Sequence, residues 1–414
     1  MPRLPACASG LALALLAACG GGSTGPSSDP PPLLTALPRP LTAAETAIAS
    51  ASNRFALGLL AQARAADPEG TVFLSPLSAT MALGMTLNGA NGTTFDAMRT
   101  ALGFGSLPQA EINAGYQGLL DLLASLDNST DIRVANSIWA ETGFPFLAAF
   151  VAAGRDWFDA EVRNVAFNDP ATLDAVNGWV RDKTGGKIPK LLDQFDEQTV
   201  MTLLNAVYFK GSWRSAFDPS DTRTESFEAP AGPQSVAMMH REGAIQYAED
   251  PLYQAVDLLY GNGGFGMTVV LPRPGVSLAG VLGEDPSAGW DALVARLTER
   301  TVTLAMPRFR LEYRRDLSDD LRSLGMAVAF DDQQAEFSRM AAPPIQLFLS
   351  SVLQKTFVDV NEEGTEAAAA TAVQVGVTSL PQTFDMRVDR PFLVAIRERF
   401  SGTLLFLGQV TTIP

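Results

Sequence analysis

Histidine and cysteine, which often supply nucleophiles, proton carriers and metal ligands, are nearly absent from this chain. Its 414 residues include one histidine, His240, and two cysteines, Cys7 and Cys19. A Ser-His or Cys-His catalytic pair needs an imidazole, and a histidine-rich metal site needs several. His240 stands beside two methionines, where a structural or surface role is favoured. Carboxylates are numerous, but no spacing singles out a catalytic pair. The sequence therefore predicts no enzyme and no metal site.

One glycine motif resembles a cofactor site. Residues 261–266, GNGGFG, match the GxGxxG pattern of dinucleotide-binding loops. Such a loop needs a preceding strand and a following helix, whereas the strand-like run MTVVLP follows here. Apolar runs flank the glycines across residues 253–272. This pattern predicts a hairpin with a glycine-rich turn, and no cofactor.

The charge of the chain limits its partners. The formal net charge is −15 at pH 7. Nucleic-acid phosphates would be repelled by such a chain, so binding to nucleic acid is not expected.

The N-terminus is typical of an exported protein. Arg3 supplies a short basic region and residues 11–18 supply an apolar run that is too short to span a bilayer, a pattern typical of a signal peptide. The run LAAC ending at Cys19 resembles a bacterial lipobox, which predicts a signal peptide over 1–18 and a lipid-anchored Cys19. An ordinary signal peptide is the alternative. No aspartate follows Cys19, which favours the outer membrane in a Gram-negative host, with the domain facing the periplasm or the cell surface.

Residues 19–41 predict a flexible tether because glycine, serine and proline dominate them. Folding is expected to begin at Thr42, since Thr42 and Glu45 have capping-box spacing before an amphipathic run. Helical patterns over 75–103 mix with strand-like runs at 132–141, 203–210 and 301–311. No later linker divides the chain, which predicts one α+β domain over 42–414.

The stretch 361–380, NEEGTEAAAATAVQVGVTSL, combines conflicting propensities. Its four alanines favour a helix, while the valines that follow favour an extended chain. A surface helix or an extended linker is the simple interpretation. If the stretch is a strand instead, alternation leaves no side chain longer than valine or threonine on one of its faces.

Several motifs, in order, resemble the serpins, a family whose members mostly inhibit proteases by a suicide-substrate trap. They are FLSPLS (73–78), VNGWVRDKTGGKIPKLL (176–192), NAVYFKGSWRSAF (205–217), MPRFRLEYRRDLSDDLRSLGM (306–326), VLQKTFVDVNEEGTEAAAAT (352–371) and VDRPFLVAIRE (388–398). The resemblance covers residues 44 to 413. It implies an α+β fold with three β-sheets, eight or nine helices and an exposed reactive-centre loop.

The resemblance also implies a function and a set of site residues. The chain is expected to be a monomer that traps a serine protease as a covalent acyl complex after its loop is cleaved and its hinge enters the main sheet. The family pattern places the hinge at Gly364, Thr365, Glu366, Ala367, Ala368, Ala369, Ala370 and Thr371. A serpin fold that is only a protease substrate or a binding scaffold is the alternative.

Counting along the loop by the family's usual length places the cleaved bond between Thr378 and Ser379. Counting back from Pro391-Phe392 points instead to Leu380, because the loop is about two residues longer than usual, but Leu380-Pro381 is a poor bond for most serine proteases. Val377-Thr378 and Ser379-Leu380 remain alternatives. A small residue at the bond suits elastase-like or subtilisin-like proteases, and no Lys or Arg for a trypsin-like enzyme lies between 364 and 386. The physiological protease is not indicated.

Two further groups of residues follow from the resemblance. A polar cluster that holds the main sheet closed would comprise Ser75, Ser78, Asn205 and Gln354, with Gln354 at the family's usual histidine position. Glutamine both donates and accepts hydrogen bonds but cannot serve as a protonation switch. At the top of the loop, Glu362 is expected to pair with Arg308, and Trp213 to pack nearby.

Overall fold

The structure is a computed structural model, and it describes residues 31–365 and 383–414. Eight α-helices occur in these ranges: α1 (Ala43–Ala66), α2 (Pro76–Leu87), α3 (Gly92–Ala101), α4 (Gln109–Ser125), α5 (Ala148–Phe158), α6 (Pro170–Lys183), α7 (Pro286–Arg296) and α8 (Ser318–Leu321). The helix α1 begins with the predicted capping box. The Thr42 hydroxyl accepts from the Glu45 amide at 3.2 Å, and the Thr42 amide donates to Glu45 Oε2 at 2.7 Å.

Fifteen strands accompany these helices in the described ranges. They are β1 (Val72–Leu74), β2 (Thr130–Glu141), β3 (Ala160–Val165), β4 (Met201–Ser212), β5 (Arg223–Ala229), β6 (Gly232–Glu249), β7 (Tyr253–Leu259), β8 (Phe265–Pro272), β9 (Thr298–Pro307), β10 (Phe309–Asp316), β11 (Leu353–Asn361), β12 (Gly364–Thr365), β13 (Thr383–Arg387), β14 (Phe392–Glu398) and β15 (Leu404–Val410). The mixture of helices and strands confirms the α+β fold class.

The described strands join into two sheets rather than the expected three. A nine-stranded sheet has the order β1-β15-β14-β8-β7-β6-β9-β13, with β5 on β6. The 18-residue β6 connects its two parts, because it pairs with β7 near its C-terminal end and with β5 and β9 elsewhere. The second sheet has six strands in the order β10-β11-β12-β4-β2-β3.

The six-stranded sheet separates two hydrophobic clusters. Side chains alternate between its faces, so Phe209 of β4 joins the main core while Leu204 and Ala206 face a smaller cluster beneath α6. The strands β14 and β15 are buried at every position, as expected for strands covered on both faces.

The glycine motif forms the predicted hairpin turn. The strand β7 ends at Leu259, β8 begins at Phe265, and the glycines between them include Gly261 and Gly263 with φ of 42° and 81°. These positive φ values favour glycine, which explains the motif without a bound cofactor.

Part of the predicted tether contacts the domain. The amide of Leu34 donates to the carbonyl of Asn262 at 2.7 Å, and Arg214 Nη1 donates to the carbonyl of Pro31 at 2.7 Å. The side chains of Leu34, Leu37 and Leu41 pack on the main core. Contact with the domain thus begins before Thr42. No helix in the described ranges has the length and apolarity of a membrane span.

Candidate functional site

The two-residue strand β12 lies between β11 and β4 at one end of the six-stranded sheet. Gly364 pairs with Asn361 and Ser212, and Thr365 pairs with Val360 and Gly211. Among the described residues, no backbone pair joins β11 directly to β4. The start of the predicted hinge is therefore already hydrogen-bonded into the sheet, between two strands that accept a third.

Glycine is required at position 364. Its φ is 152°, and a Cβ atom there would lie 2.1 Å from the carbonyl oxygen of Gly211. Any other side chain would strain the backbone and displace β4. The chain thus bends into the sheet at the residue that the resemblance places at the start of the hinge.

Thr365 is the first hinge side chain inside the protein. It is 1% exposed, and its hydroxyl lies 2.7 Å from the hydroxyl of Tyr260. Tyr260 stacks on Trp213 with ring centroids 4.5 Å apart. Burial raises the pKa of Tyr260, so the phenol stays protonated and available as a hydrogen-bond partner. Sequence reasoning missed Tyr260, because only tertiary packing brings the β7–β8 turn against the end of β4.

The predicted loop-top residues contact one another. Arg308 Nη2 lies 2.6 Å from both carboxylate oxygens of Glu362, and the Thr222 hydroxyl donates to the same carboxylate at 2.7 Å. Burial is the strongest influence on Glu362 and raises its pKa. The hydrogen bonds from Arg308 and Thr222 outweigh it and hold the pKa below its usual value.

Trp213 donates hydrogen bonds to the backbone on both sides of Glu362. Its indole Nε1 donates to the carbonyl of Asn361 at 2.9 Å, and its amide donates to the carbonyl of Glu363 at 2.8 Å. These bonds fix both sides of Glu362. The residues before the hinge, Asn361 to Glu363, are therefore held by the Glu362–Arg308 ion pair and by two hydrogen bonds from Trp213.

The predicted polar cluster forms two separate groups around the start of α2. In the first, Gln354 Oε1 accepts from the Ser75 amide at 3.0 Å and Gln354 Nε2 donates to the Ser75 carbonyl at 2.7 Å. The Ser75 hydroxyl donates to the carbonyl of Leu405 at 2.9 Å. Through these bonds Ser75, the residue before α2, connects β11 to β15.

The second group belongs to β4. The Ser78 hydroxyl donates to the Asn205 carbonyl at 3.4 Å, and Asn205 Nδ2 donates to Asn136 Oδ1 at 2.6 Å. Asn205 Oδ1 is buried without a hydrogen-bond partner. Within the described residues no hydrogen bond links Asn205 to Gln354, so the cluster does not bridge β4 and β11.

The single histidine, His240, lies apart from these contacts. His240 lies on β6, where Nε2 is 2.8 Å from Glu225 Oε1, and Glu225 also pairs with Arg387 of β13. Within residues 31–365 and 383–414 no cluster of His, Cys, Asp and Glu could hold a metal ion. What the described residues do show is a short strand, β12, paired on both sides at the end of a sheet.

Several predicted residues lie outside the described ranges. These are the hinge residues Glu366, Ala367, Ala368, Ala369, Ala370 and Thr371, the bond residues Thr378 and Ser379, and the lipidation residue Cys19.

Comparisons with known proteins agree with this geometry. A family model described as Serpin (serine protease inhibitor) matches residues 50–413. The leukocyte elastase inhibitor of Equus caballus is 33% identical over 387 residues, covering 88% of this chain and 99% of that protein.

Solved structures share the fold. The thermophilic serpin tengpin in its native state has a TM-score of 0.80 and 28% identity, covering 88% of this chain and 94% of its own. Human thyroxine-binding globulin has a TM-score of 0.80 and 27% identity, covering 90% of this chain and 100% of its own. From the family match, the similar relatives and the shared fold together, this chain belongs to the serpin family.

Proposed function

We propose that this protein inhibits serine proteases as a suicide substrate. The observation that carries the proposal is β12, since Gly364 and Thr365 pair with both β11 and β4 and Thr365 is buried. Apart from Glu366, the predicted hinge residues that follow are alanine and threonine. After cleavage, the hinge would extend β12 and become a central strand.

The register of β12 specifies where an inserted hinge would lie. In this antiparallel register, each hinge residue after Thr365 would pair with a residue one position earlier on β11 and on β4. Thr371 would therefore stand opposite Gln354 and Asn205. The Thr371 hydroxyl would then be close to the unpaired Asn205 Oδ1. An inserted hinge would supply the connection between the two polar groups that the described residues lack.

The covalent step follows serine protease chemistry. The protease serine attacks the Thr378 carbonyl, the Thr378–Ser379 peptide bond breaks, and the Ser379 amine leaves with a proton. The loop remains joined to the protease as an ester. A shallow specificity pocket of the elastase-like or subtilisin-like type suits the small Thr378. The relation to a leukocyte elastase inhibitor supports this target class.

A second candidate function is a serpin fold without inhibition. The similarity to thyroxine-binding globulin, whose name describes a carrier, favours it. Under this alternative the loop would be cut without trapping the protease.

Incubation with elastase, subtilisin and trypsin tests the proposal. We expect an SDS-stable complex with elastase or subtilisin and release of a C-terminal peptide that begins at Ser379. We also expect the cleaved protein to unfold at a higher temperature than the intact one. Complete cleavage with no complex and no gain in thermal stability would support the second candidate instead.

We propose separately that Cys19 anchors the protein to a membrane after removal of residues 1–18. The apolar run and the lipobox-like LAAC support this assignment. Metabolic labelling with a fatty acid in a bacterial host should label the wild type and not C19A. Equal labelling, or a mature N-terminus elsewhere, would favour an ordinary signal peptide.

A further inference from the structure

A surface groove beside the C-terminal half of α1 has no part in the proposed inhibition. It encloses about 620 Å³ between the C-terminal half of α1 and the segment that joins β8 to α7. On α1 the lining follows one helical stripe that includes Leu57, Leu60, Ala61 and Arg64. Leu57 and Leu60 are buried, whereas the small Ala61 is exposed and leaves room above them.

The opposite wall is also apolar and is conformationally restricted. Val276, Leu278 and Leu282 line it, and short backbone bonds such as Val276 N to the Arg273 carbonyl at 2.9 Å fold the segment on itself. Prolines surround the groove at positions 68, 230, 272, 274, 286 and 391. Because proline fixes its own φ angle, such walls lose little entropy when a ligand binds.

The three arginines that line the groove differ in whether they form ion pairs. Arg273 pairs with Glu249 at 2.5 Å, and Arg390 pairs with Asp389 at 2.8 Å. Arg64 is partly buried and has no hydrogen bond or ion pair among the described residues. The one carboxylate on the lining, Glu69, forms no ion pair with it.

The half-buried guanidinium of Arg64 has no anionic partner among the described residues, so an anion that enters the groove would meet a cation able to pair with it. Burial alone lowers the pKa of Arg64, since no acidic group counteracts the loss of water around it. A ligand carboxylate would restore the missing partner through a bidentate contact with the guanidinium. The remainder of the lining suits a hydrocarbon chain rather than a polar ligand.

We propose that this groove binds a free fatty acid, with its carboxylate on Arg64 and its chain between α1 and the 272–286 segment. The groove volume lies within the range of pockets that hold small ligands. The site is separate from β12 and the hinge, so fatty-acid binding does not depend on protease inhibition.

Calorimetric titration with dodecanoate tests this assignment, with dodecanol as the uncharged probe of the same chain length. We expect saturable dodecanoate binding below its micelle concentration. R64Q should weaken dodecanoate by about tenfold or more, as expected for one lost charge-assisted contact, and leave dodecanol unchanged. A61W, which fills the groove, should weaken both ligands.

R54Q is the matched control, because Arg54 lies exposed on the same helix outside the groove. Thermal unfolding of each variant identifies any that fails to fold, and we expect R64Q to be at least as stable as the wild type. Equal dodecanoate affinity in the wild type and R64Q overturns the proposal. So does binding to fatty-acid-containing vesicles without binding of the monomeric acid, which would indicate a membrane surface.

Discussion

The hydroxyl of Thr365 lies 2.7 Å from the hydroxyl of Tyr260, and both side chains are buried. This contact joins Thr365, the second residue of the predicted hinge, to the β7–β8 hairpin. Tyr260 in turn stacks on Trp213, which bonds to the residues on either side of Glu362. The entry of the hinge into the six-stranded sheet is thus fixed by a hairpin that belongs to the other sheet.

Removing the Tyr260 hydroxyl should destabilise the hinge entry. Y260F keeps the ring stacked on Trp213 but leaves the buried Thr365 hydroxyl without a partner, at a cost of about 1–3 kcal/mol. We expect a lower free energy of unfolding, measured by urea denaturation. T365V combined with Y260F should cost less than the sum of the two single changes, and strict additivity would show that the two hydroxyls do not interact.

Charge on the inward face of the hinge should convert an inhibitor into a substrate. In the register of β12, residue 367 would stand opposite Val358 and Phe209, which are 2% and 4% exposed. A367R would therefore bury an unpaired charge, and we expect cleavage without an SDS-stable complex.

The adjacent position provides the control for this variant. Residue 368 would face the other side of the sheet, opposite the partly exposed Phe357 and Tyr208. A368R should retain much more complex formation, measured as the fraction of protease trapped per molecule cleaved. The same loss in both variants would contradict insertion in this register.

The sequence predicted local features of the protein better than contacts between residues distant in the sequence. The hairpin turn at Gly261, the capping box at Thr42 and the proximity of Glu362 to Arg308 each depend on short patterns or on family motifs, and all three are present. The α+β class followed from the same patterns. By contrast, nothing near Tyr260 in the sequence indicates its contact with Thr365, because that contact joins residues 105 positions apart.

Two other features also depended on tertiary packing. The family resemblance assigns Gln354 and Asn205 to one cluster, yet Gln354 bonds to the Ser75 backbone and Asn205 bonds to Asn136. The composition of residues 31–41 indicated a tether, but hydrogen bonds from Arg214 and to Asn262 hold its end against the domain. The composition of a segment indicates whether it can form a core of its own. It does not indicate whether the folded domain offers a surface that the segment can contact.

The pair Glu362–Arg308 should make stability depend on pH in the acidic range. The pKa of Glu362 is lowered in the folded state, so its stabilisation is fully present above the unfolded pKa of about 4.3 and is lost as the pH falls through the folded pKa. E362Q should lower the unfolding free energy near pH 7. The difference from the wild type should shrink on acidification, and a difference that stays constant from pH 7 to about 3 would contradict it.

A histidine in place of Gln354 should introduce a pH response that this protein lacks at that position. Gln354 is 6% exposed and bonds twice to the Ser75 backbone. In Q354H the buried imidazole should be neutral when folded, because burial disfavours the charged form and lowers its pKa. Stability should then fall as the pH drops below the unfolded value of about 6.5. Q354A is the control, since it loses the same bonds without a titrating group and should be destabilised equally from pH 8 to about 5.

The identity of the residue before the cleaved bond should determine the target protease. Thr378 is the proposed position, and T378R would present the side chain that trypsin-like enzymes bind through an acidic specificity pocket. We expect T378R to form an SDS-stable complex with trypsin and to lose the complex with elastase. Because the hinge residues are unchanged, the gain in thermal stability after cleavage should persist. S379R is the matched control one residue later. A trypsin complex with S379R and none with T378R would move the reactive bond to Ser379-Leu380 and leave the insertion mechanism intact.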